Sequence, residues 1–354
     1  MDPHRVPSPR LCALATAVPP HVLRQDEVEA ASRTIFAGRG NAFERMSPIY
    51  RNAGIETRYS CVGLEWYLED HGWRERNDLY IRNAVSLIRA AAQDCLEKAG
   101  LHPSDVDGIA VVSTTGIATP SLDALLLEEM PFRRNVQRLP IFGLGCAGGV
   151  LGLNRVASLV QAKPDARWLL LVVELCGLTF RSGDLSKSNI VATALFGDGA
   201  AALLIENSTD RGPAIGASGE HTWPDSLDVM GWQLQEDGLG VLFSRDIPDL
   251  VMTQFPDALH GFLAANGLSL AAIDHIVPHP GGAKVLSAMT EALGLPPDAL
   301  RHAREVLRDF GNMSAATVFF VLELFLADDA TGLLLLSALG PGFTAGFATL
   351  ERHP

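Results

Sequence analysis

An internal echo constrains this chain more than any other feature. Cys95-Leu96-Glu97-Lys98-Ala99-Gly100-Leu101 leads into Val106-Asp107-Gly108-Ile109-Ala110-Val111-Val112. Phe262-Leu263-Ala264-Ala265-Asn266-Gly267-Leu268 leads into Ile273-Asp274-His275-Ile276-Val277-Pro278-His279. The glycine-to-aspartate spacing is the same in both. Each copy reads as a helix stopped by glycine, then an apolar strand. The run 168–173 is echoed by 333–337. A period this long is no solenoid. It predicts two similar α/β halves, 1–210 and 211–354, packed as one body, and 354 residues suffice for that.

Along the chain, a strand is expected over 11–17 and a helix over 26–36. Residues 37–75 read as irregular. Apolar spacing predicts a helix over 83–98, and 106–114 is an apolar strand. Alternation continues to about residue 206. Residues 211–244 are polar and turn-rich, suited to loops and hairpins rather than core. From residue 256 the alternation resumes.

Composition limits the function classes. A chain 47% hydrophobic and 19% charged is globular. A net charge of −13 argues against general nucleic-acid binding. Five scattered cysteines without a CxxC pair argue against a zinc ribbon or a thioredoxin-type site and fit a reducing cytoplasm. Arg5 and Arg10 precede no sustained apolar core, so no signal peptide is expected. No apolar run reaches membrane-span length.

Cys146 stands in Gly145-Cys146-Ala147-Gly148-Gly149, between a strand-like run and a helical pattern. Glycines allow close approach by a substrate. A thiol at a helix start ionises more easily. A buried structural cysteine is the other reading. His279 ends a strand and is followed by Pro280-Gly281-Gly282, a setting for a site rather than a core. Asn312, in Gly311-Asn312-Met313-Ser314, heads a long apolar helix and could be its cap. By the echo, His279 replaces Val112, and Asn312 or a neighbour replaces Cys146. A Cys, a His and an Asn therefore occupy element ends that pseudo-symmetry could bring together. His4, His102, His302 and His353 read as surface residues. Asp198 lies between glycines as a turn residue. Gly340-Pro341-Gly342-Phe343 lacks the lysine of a phosphate loop and reads as a turn lining a pocket.

Several motifs, in order, carry a resemblance over about 53–351. They are Gly145-Cys146-Ala147-Gly148-Gly149, Thr179-Phe180-Arg181, Leu195-Phe196-Gly197-Asp198-Gly199-Ala200-Ala201, His279-Pro280-Gly281-Gly282, Gly311-Asn312-Met313-Ser314 and Gly340-Pro341-Gly342-Phe343. The chain resembles the chalcone synthase-like family, the type III polyketide synthases. The resemblance implies a thiolase-like fold of duplicated halves in five αβαβα layers, usually a homodimer. It implies Cys146 as nucleophile and His279 and Asn312 as donors to a thioester oxygen. Phe196 would be an aromatic gatekeeper. Val241 stands where a second gatekeeper phenylalanine is expected, and Thr119 where plant members have a dimer-crossing methionine. Cys176 and Thr179 would line the cavity, with the 340–343 loop beside it. His221-Thr222-Trp223-Pro224 and Asp228-Val229-Met230-Gly231-Trp232 resemble the bacterial branch that makes alkylpyrones or alkylresorcinols from fatty acyl starters. Acyl- and malonyl-coenzyme A would be substrates, with no metal or redox cofactor. Arg45, Arg51, Arg58, Lys284 and Gly281 are candidates for holding coenzyme A. A ketoacyl synthase acting on an acyl-carrier protein shares the Cys-His-Asn set and is the alternative.

Overall fold

In the structure, a computed structural model that describes residues 7–38 and 42–353, the two copies of the echo fold alike. His4 and Arg5 lie outside the described residues. Gly100 (φ 70°) and Gly267 (φ 69°) are both left-handed. Each donates its N–H to a carbonyl of the helix it ends, at 3.0 and 3.1 Å. The aspartates also match. Asp107 Oδ2 accepts the N–H of Arg167 at 2.9 Å, and Asp274 Oδ2 accepts that of Leu333 at 2.7 Å. Each ties the start of one strand to the start of its neighbour.

The strands are β1 (Ser8–Ala17), β2 (His21–Arg24), β3 (Thr57–Ser60), β4 (Gly108–Val112), β5 (Gln137–Ile141), β6 (Trp168–Leu175), β7 (Asp198–Ser208), β8 (Ala214–Thr222), β9 (Met230–Gln235), β10 (Gly238–Phe243), β11 (His275–Pro278), β12 (Gly332–Gly340) and β13 (Thr344–Arg352). The helices are α1 (Gln25–Ile35), α2 (Ala42–Met46), α3 (Pro48–Asn52), α4 (Trp73–Ala99), α5 (Leu122–Glu129), α6 (Gly148–Ala162), α7 (Lys187–Leu195), α8 (Ile247–Thr253), α9 (Phe255–Ala265), α10 (Ala283–Ala292), α11 (Arg301–Phe310) and α12 (Thr317–Ala327).

Nine strands form one ladder, in the order β11-β12-β13-β8-β1-β7-β6-β4-β5. It is two sheets in series, joined at β1 and β8 through the single pair Arg10↔Ala214. Both parts follow one rule. β4 and β6 are parallel while β6–β7 and β7–β1 are antiparallel; β11 and β12 are parallel while β12–β13 and β13–β8 are antiparallel.

Period-two alternation builds the layers. Ile109, Val111, Leu169 and Leu171 pack in the cluster under α4, while Ala110, Val112, Leu170 and Val172 pack in the cluster around α6. Leu170 and Leu171 are both fully buried, each stabilising the fold by ~2 kcal/mol. In the second half, a Cβ on Gly346 would meet Leu151 of α6, whereas Phe347 stacks on Phe262 of α9 with centroids 5.1 Å apart. α6 and α12 are therefore sandwiched between the two sheets, with α4, α5 and α9 outside. This is the five-layered thiolase-like arrangement.

Four expectations need correction. Residues 37–75, read as irregular, hold α2, α3 and β3, the last paired with β2. α4 begins at Trp73, not residue 83, because its first turns (Arg74, Glu75, Asn77, Asp78) show no apolar period although Arg76 and Tyr80 are buried. The 211–244 stretch contributes a sheet strand, β8, whose mostly exposed, glycine-containing sequence hides it. His302 is buried in α11, between Glu305 (2.8 Å) and Asp328 (3.1 Å), rather than on the surface.

Candidate active site

Cys146 lies in a tight 3-10 turn, Gly145–Ala147, between β5 and α6. Glycines are required by close packing. Gly145 is left-handed (φ 47°), and a Cβ there would stand 2.4 Å from Pro341 Cδ. A Cβ on Gly149 would stand 2.3 Å from the Ala315 carbonyl, and one on Gly340 2.5 Å from the Leu144 carbonyl. The 340–343 turn therefore braces the Cys146 turn. Phe343 is buried against Trp223 (4.9 Å), and none of the four residues lines the two cavities described below, contrary to the pocket-lining expectation.

The matching turn of the second half is Ser314–Ala316, ahead of α12. Ser314 (φ 49°) is the counterpart of Gly145, so Ala315, three residues past Asn312, is the counterpart of Cys146. The echo thus aligns Asn312 with no part of that turn. Asn312 is held another way. Its N–H donates to the Leu195 carbonyl and its own carbonyl accepts from Gly197, both at 2.9 Å, pairing it with Phe196 across the halves. Its side chain does what a cap does, since Oδ1 accepts the Ser314 N–H at 2.8 Å. Nδ2 donates to the Gly281 carbonyl at 3.2 Å, leaving its second N–H.

A small cavity brings Cys146, His279 and Asn312 together, with Met230, Phe255 and Met289 among its walls. The Cys146 thiol donates to Ser314 Oγ at 3.5 Å. Ser314, beyond its place in the motif, is a contact that sequence reasoning missed; a non-glycine left-handed residue has no sequence signal of its own. His279 is buried, fixed through its N–H to the Ser337 carbonyl at 2.7 Å. Neither ring nitrogen has a hydrogen-bond partner among the described residues. Burial pushes the imidazole down to about 3 and the thiol up to about 12, the Ser314 contact opposing the latter. Burial thus opposes the ionisation that a helix start favours. Glu174, fully buried at the end of β6, accepts from the Thr114 N–H (3.0 Å) and Thr115 Oγ1 (2.8 Å), and burial raises it to about 7.

Phe243, Ile247, Gly281 and Val285 line both this cavity and an outer groove rimmed by Arg45, Lys187, Arg245 and Lys284. Lys187 and Arg245 were missed by sequence reasoning; they start α7 and precede α8, far apart in the chain. Arg51 is exposed on α3 and lines neither space. Arg58 is buried, with its guanidinium on the carbonyls of Thr193, Ala194 and Phe196 and on Gln25. It is a strut under Phe196, not a rim cation. A second, apolar cavity is lined by Phe196, Val241, Cys176 and Thr179, with Leu23, Val28 and Ile35. Thr119 is exposed and lines neither cavity. Asp198 is a buried brace, accepting from Cys61 (2.9 Å) and Gly177 (2.8 Å) main-chain N–H groups. No group of three or more His, Cys, Asp or Glu suited to a metal ion occurs among the described residues, and no helix there is long and apolar enough to cross a membrane.

The sequence profile of chalcone and stilbene synthases, N-terminal domain, matches residues 7–209, and that of the C-terminal domain matches residues 215–349. The chain belongs to the chalcone and stilbene synthase family. This synthase is 37% identical to a putative chalcone synthase of Bacillus subtilis, over 95% of this chain and 96% of that protein. It is also 37% identical to the 1,3,6,8-tetrahydroxynaphthalene synthase of Streptomyces peucetius, over 96% and 92%. The crystal structure of the Streptomyces coelicolor A3(2) tetrahydroxynaphthalene synthase, a bacterial type III polyketide synthase, superposes with a TM-score of 0.92 at 29% identity, covering 98% of this chain and 99% of that one. The synthase is a type III polyketide synthase, an acyltransferase that condenses malonyl-coenzyme A.

Proposed function

We propose that this synthase extends a medium- or long-chain fatty acyl-coenzyme A by repeated decarboxylative condensation and closes the product as an alkylpyrone or alkylresorcinol. Coenzyme A thioesters are the substrates, and no metal or redox cofactor takes part. The observation that carries the chemistry is the pair of unpartnered ring nitrogens on buried His279, in the cavity that Cys146 and Asn312 share. An orphaned buried donor is costly unless a ligand satisfies it.

Cys146 passes its proton to His279, a transfer that leaves the cavity's net charge unchanged. The thiolate takes the acyl group and coenzyme A leaves. Malonyl-coenzyme A then enters along the cationic groove, where Arg45, Lys187, Arg245 and Lys284 meet its phosphates. Its thioester oxygen accepts from His279 and from the free N–H of Asn312. Loss of CO₂ leaves an enolate on that oxygen, and each donor stabilises it by roughly 3 kcal/mol. The enolate carbon attacks the acyl-Cys146 carbonyl, the C–S bond breaks, and the thiolate is restored. The starter's chain runs past Phe196 into the apolar cavity, whose lining suits an alkyl tail. Exposed Phe142 and Ile117 beside the edge strand β5 support a homodimer, the setting in which Thr119 would approach a partner's site. The enzyme acts in the cytoplasm.

The test is a product profile by mass spectrometry, with malonyl-coenzyme A and a ladder of acyl-coenzyme A starters. Alkylated pyrones or resorcinols from long starters are expected. A fused-ring product without an alkyl tail, as the names of the Streptomyces relatives indicate for them, would overturn the starter assignment. A single condensation, or turnover only with acyl-carrier protein, would overturn the reaction.

A further inference from the structure

Arg181, the last residue of the Thr179-Phe180-Arg181 motif, has no part in this chemistry, yet it is fully engaged and only 14% exposed. Its Nε donates to both carboxylate oxygens of Asp237 at 2.8 Å, and Nη1 donates to Asp184 at 3.0 Å. Asp237 is the tip of the β9–β10 hairpin. That hairpin is a two-stranded sheet of its own, with no ladder to the nine-stranded sheet. It nonetheless carries walls of the site. Val241 lines the apolar cavity, Phe243 lines the reaction cavity and the groove, and Trp232 packs on Phe196 with centroids 6.3 Å apart.

A lone two-stranded hairpin is marginal in water, so its position must come from ties to the body. One tie holds the base, where Ser188 Oγ donates to the Phe243 carbonyl at 3.3 Å; the others gather at the tip. Buried Arg76 of α4 donates to the Asp237 carbonyl and, at 2.7 Å, to that of Phe180. Gly240 leaves room for the crossing guanidinium: a Cβ there would stand 2.8 Å from Arg181 Nη1. Gly238 (φ 131°) lets the turn sit on the Trp73 ring, where a Cβ would stand 2.9 Å away. The floor is rigid, because buried Asn189 donates to the carbonyls of Arg181 and Asp184 at 2.8 Å each. The Arg181 guanidinium holds the Asp237 carboxyl below the usual carboxylate range.

We propose that the Asp237–Arg181 ion pair, backed by Arg76, is a latch that positions the hairpin and thereby sets which starter lengths the apolar cavity accepts. The latch rests on the acyl-starter reading above. Both partners are positioning residues; neither lines the Cys146 cavity. Asp237→Asn isolates the ion pair, because the main-chain carbonyl that Arg76 binds is untouched.

The full-length synthase is compared with Asp237→Asn, Asp237→Glu and Arg181→Lys by two readouts. CO₂ release from malonyl-coenzyme A alone reports the Cys146, His279 and Asn312 set. KM and kcat across the starter ladder, at low and high salt, report the hairpin. Asp237→Asn is expected to keep CO₂ release while the ratio of long- to short-starter KM shifts about five-fold. Salt moves the wild type the same way, and Asp237→Glu restores most of the ratio. An unchanged ladder in Asp237→Asn and Arg181→Lys, with CO₂ release intact, overturns the latch alone. A wild type that releases CO₂ but accepts no acyl starter overturns the starter reading, and the latch's role falls with it.

Discussion

Gly340→Ala tests whether the 340–343 turn braces the nucleophile. The added Cβ would lie 2.5 Å from the Leu144 carbonyl oxygen, 2.7 Å from Ala147 Cβ and 2.8 Å from Ala147 N. Ordinary contact begins at 3.4 Å, so the turn must retreat by up to 3.4 − 2.5 = 0.9 Å. Cys146 sits between the two residues struck, and Thr114 Oγ1, bonded to the Gly145 N–H at 3.2 Å, pins the turn from another side. Overpacking of this kind costs about 1–3 kcal/mol of stability. A displacement near 1 Å at the reacting atom costs on the order of 10²-fold in rate. CO₂ release and extended-product formation would be followed beside a thermal melt. Gly261→Ala is the control, since nothing lies within 4 Å of that Cβ and the helix gains up to ~1 kcal/mol. If Gly340→Ala melts lower but keeps its rate within about three-fold, under 1 kcal/mol of barrier, the bracing argument is wrong.

Five further outcomes are expected. Cys146→Ala abolishes acyl loading, read as the absence of a mass increase on the protein after mixing with acyl-coenzyme A. Cys176→Phe fills the wall of the apolar cavity and shortens the accepted starters; an unchanged starter profile would show that Cys176 does not line the chain's path. Lys284→Ala raises KM for malonyl-coenzyme A about ten-fold with kcat kept, and high salt erases the difference. Arg58→Met by contrast leaves KM alone and loses roughly 2 kcal/mol of stability, because the half-buried carbonyls of Thr193 and Phe196 lose a donor while that of Ala194 keeps Gln25 Nε2. For Glu174→Gln the effect depends on pH. The folded carboxyl titrates at about 7, against 4.5 for a free one. Below 4.5 both states hold the proton; between 4.5 and 7 only the unfolded state sheds it, so wild-type stability falls as pH rises and levels off above 7, by roughly 3 kcal/mol in all. The variant should melt higher near pH 8 and equally near pH 4; the same gain at both would refute the assignment.

The sequence was most informative where one residue type does one backbone job. Gly100 with Asp107 and Gly267 with Asp274 are such pairs, and from them the duplicated fold followed. Cys146 and His279 stood out because they interrupt that duplication; Asn312 stood out by its motif, not by the echo. The register between the copies was not, since nothing in the text of Gly311-Asn312-Met313-Ser314 says that Ser314 takes the left-handed place of Gly145. Amphipathic starts such as Trp73 to Tyr80 were hidden because a buried arginine carries part of the inner face. For the same reason Arg58 was misread: sequence shows a cation but not whether carbonyls wait for it inside. The rim partners Lys187 and Arg245 come from elements far apart in the chain, so only the folded surface unites them.

Asn312 owes its place to main-chain bonds with Leu195 and Gly197 in the opposite half. That pairing makes the two copies of an ancestral unit unequal partners. One holds Cys146, the proposed nucleophile; the other holds His279 and Asn312, its proposed partners. Neither can serve as a spare for the other. Redundancy, the usual dividend of duplication, has no place in such a division: separating the halves would part Cys146 from His279 and Asn312.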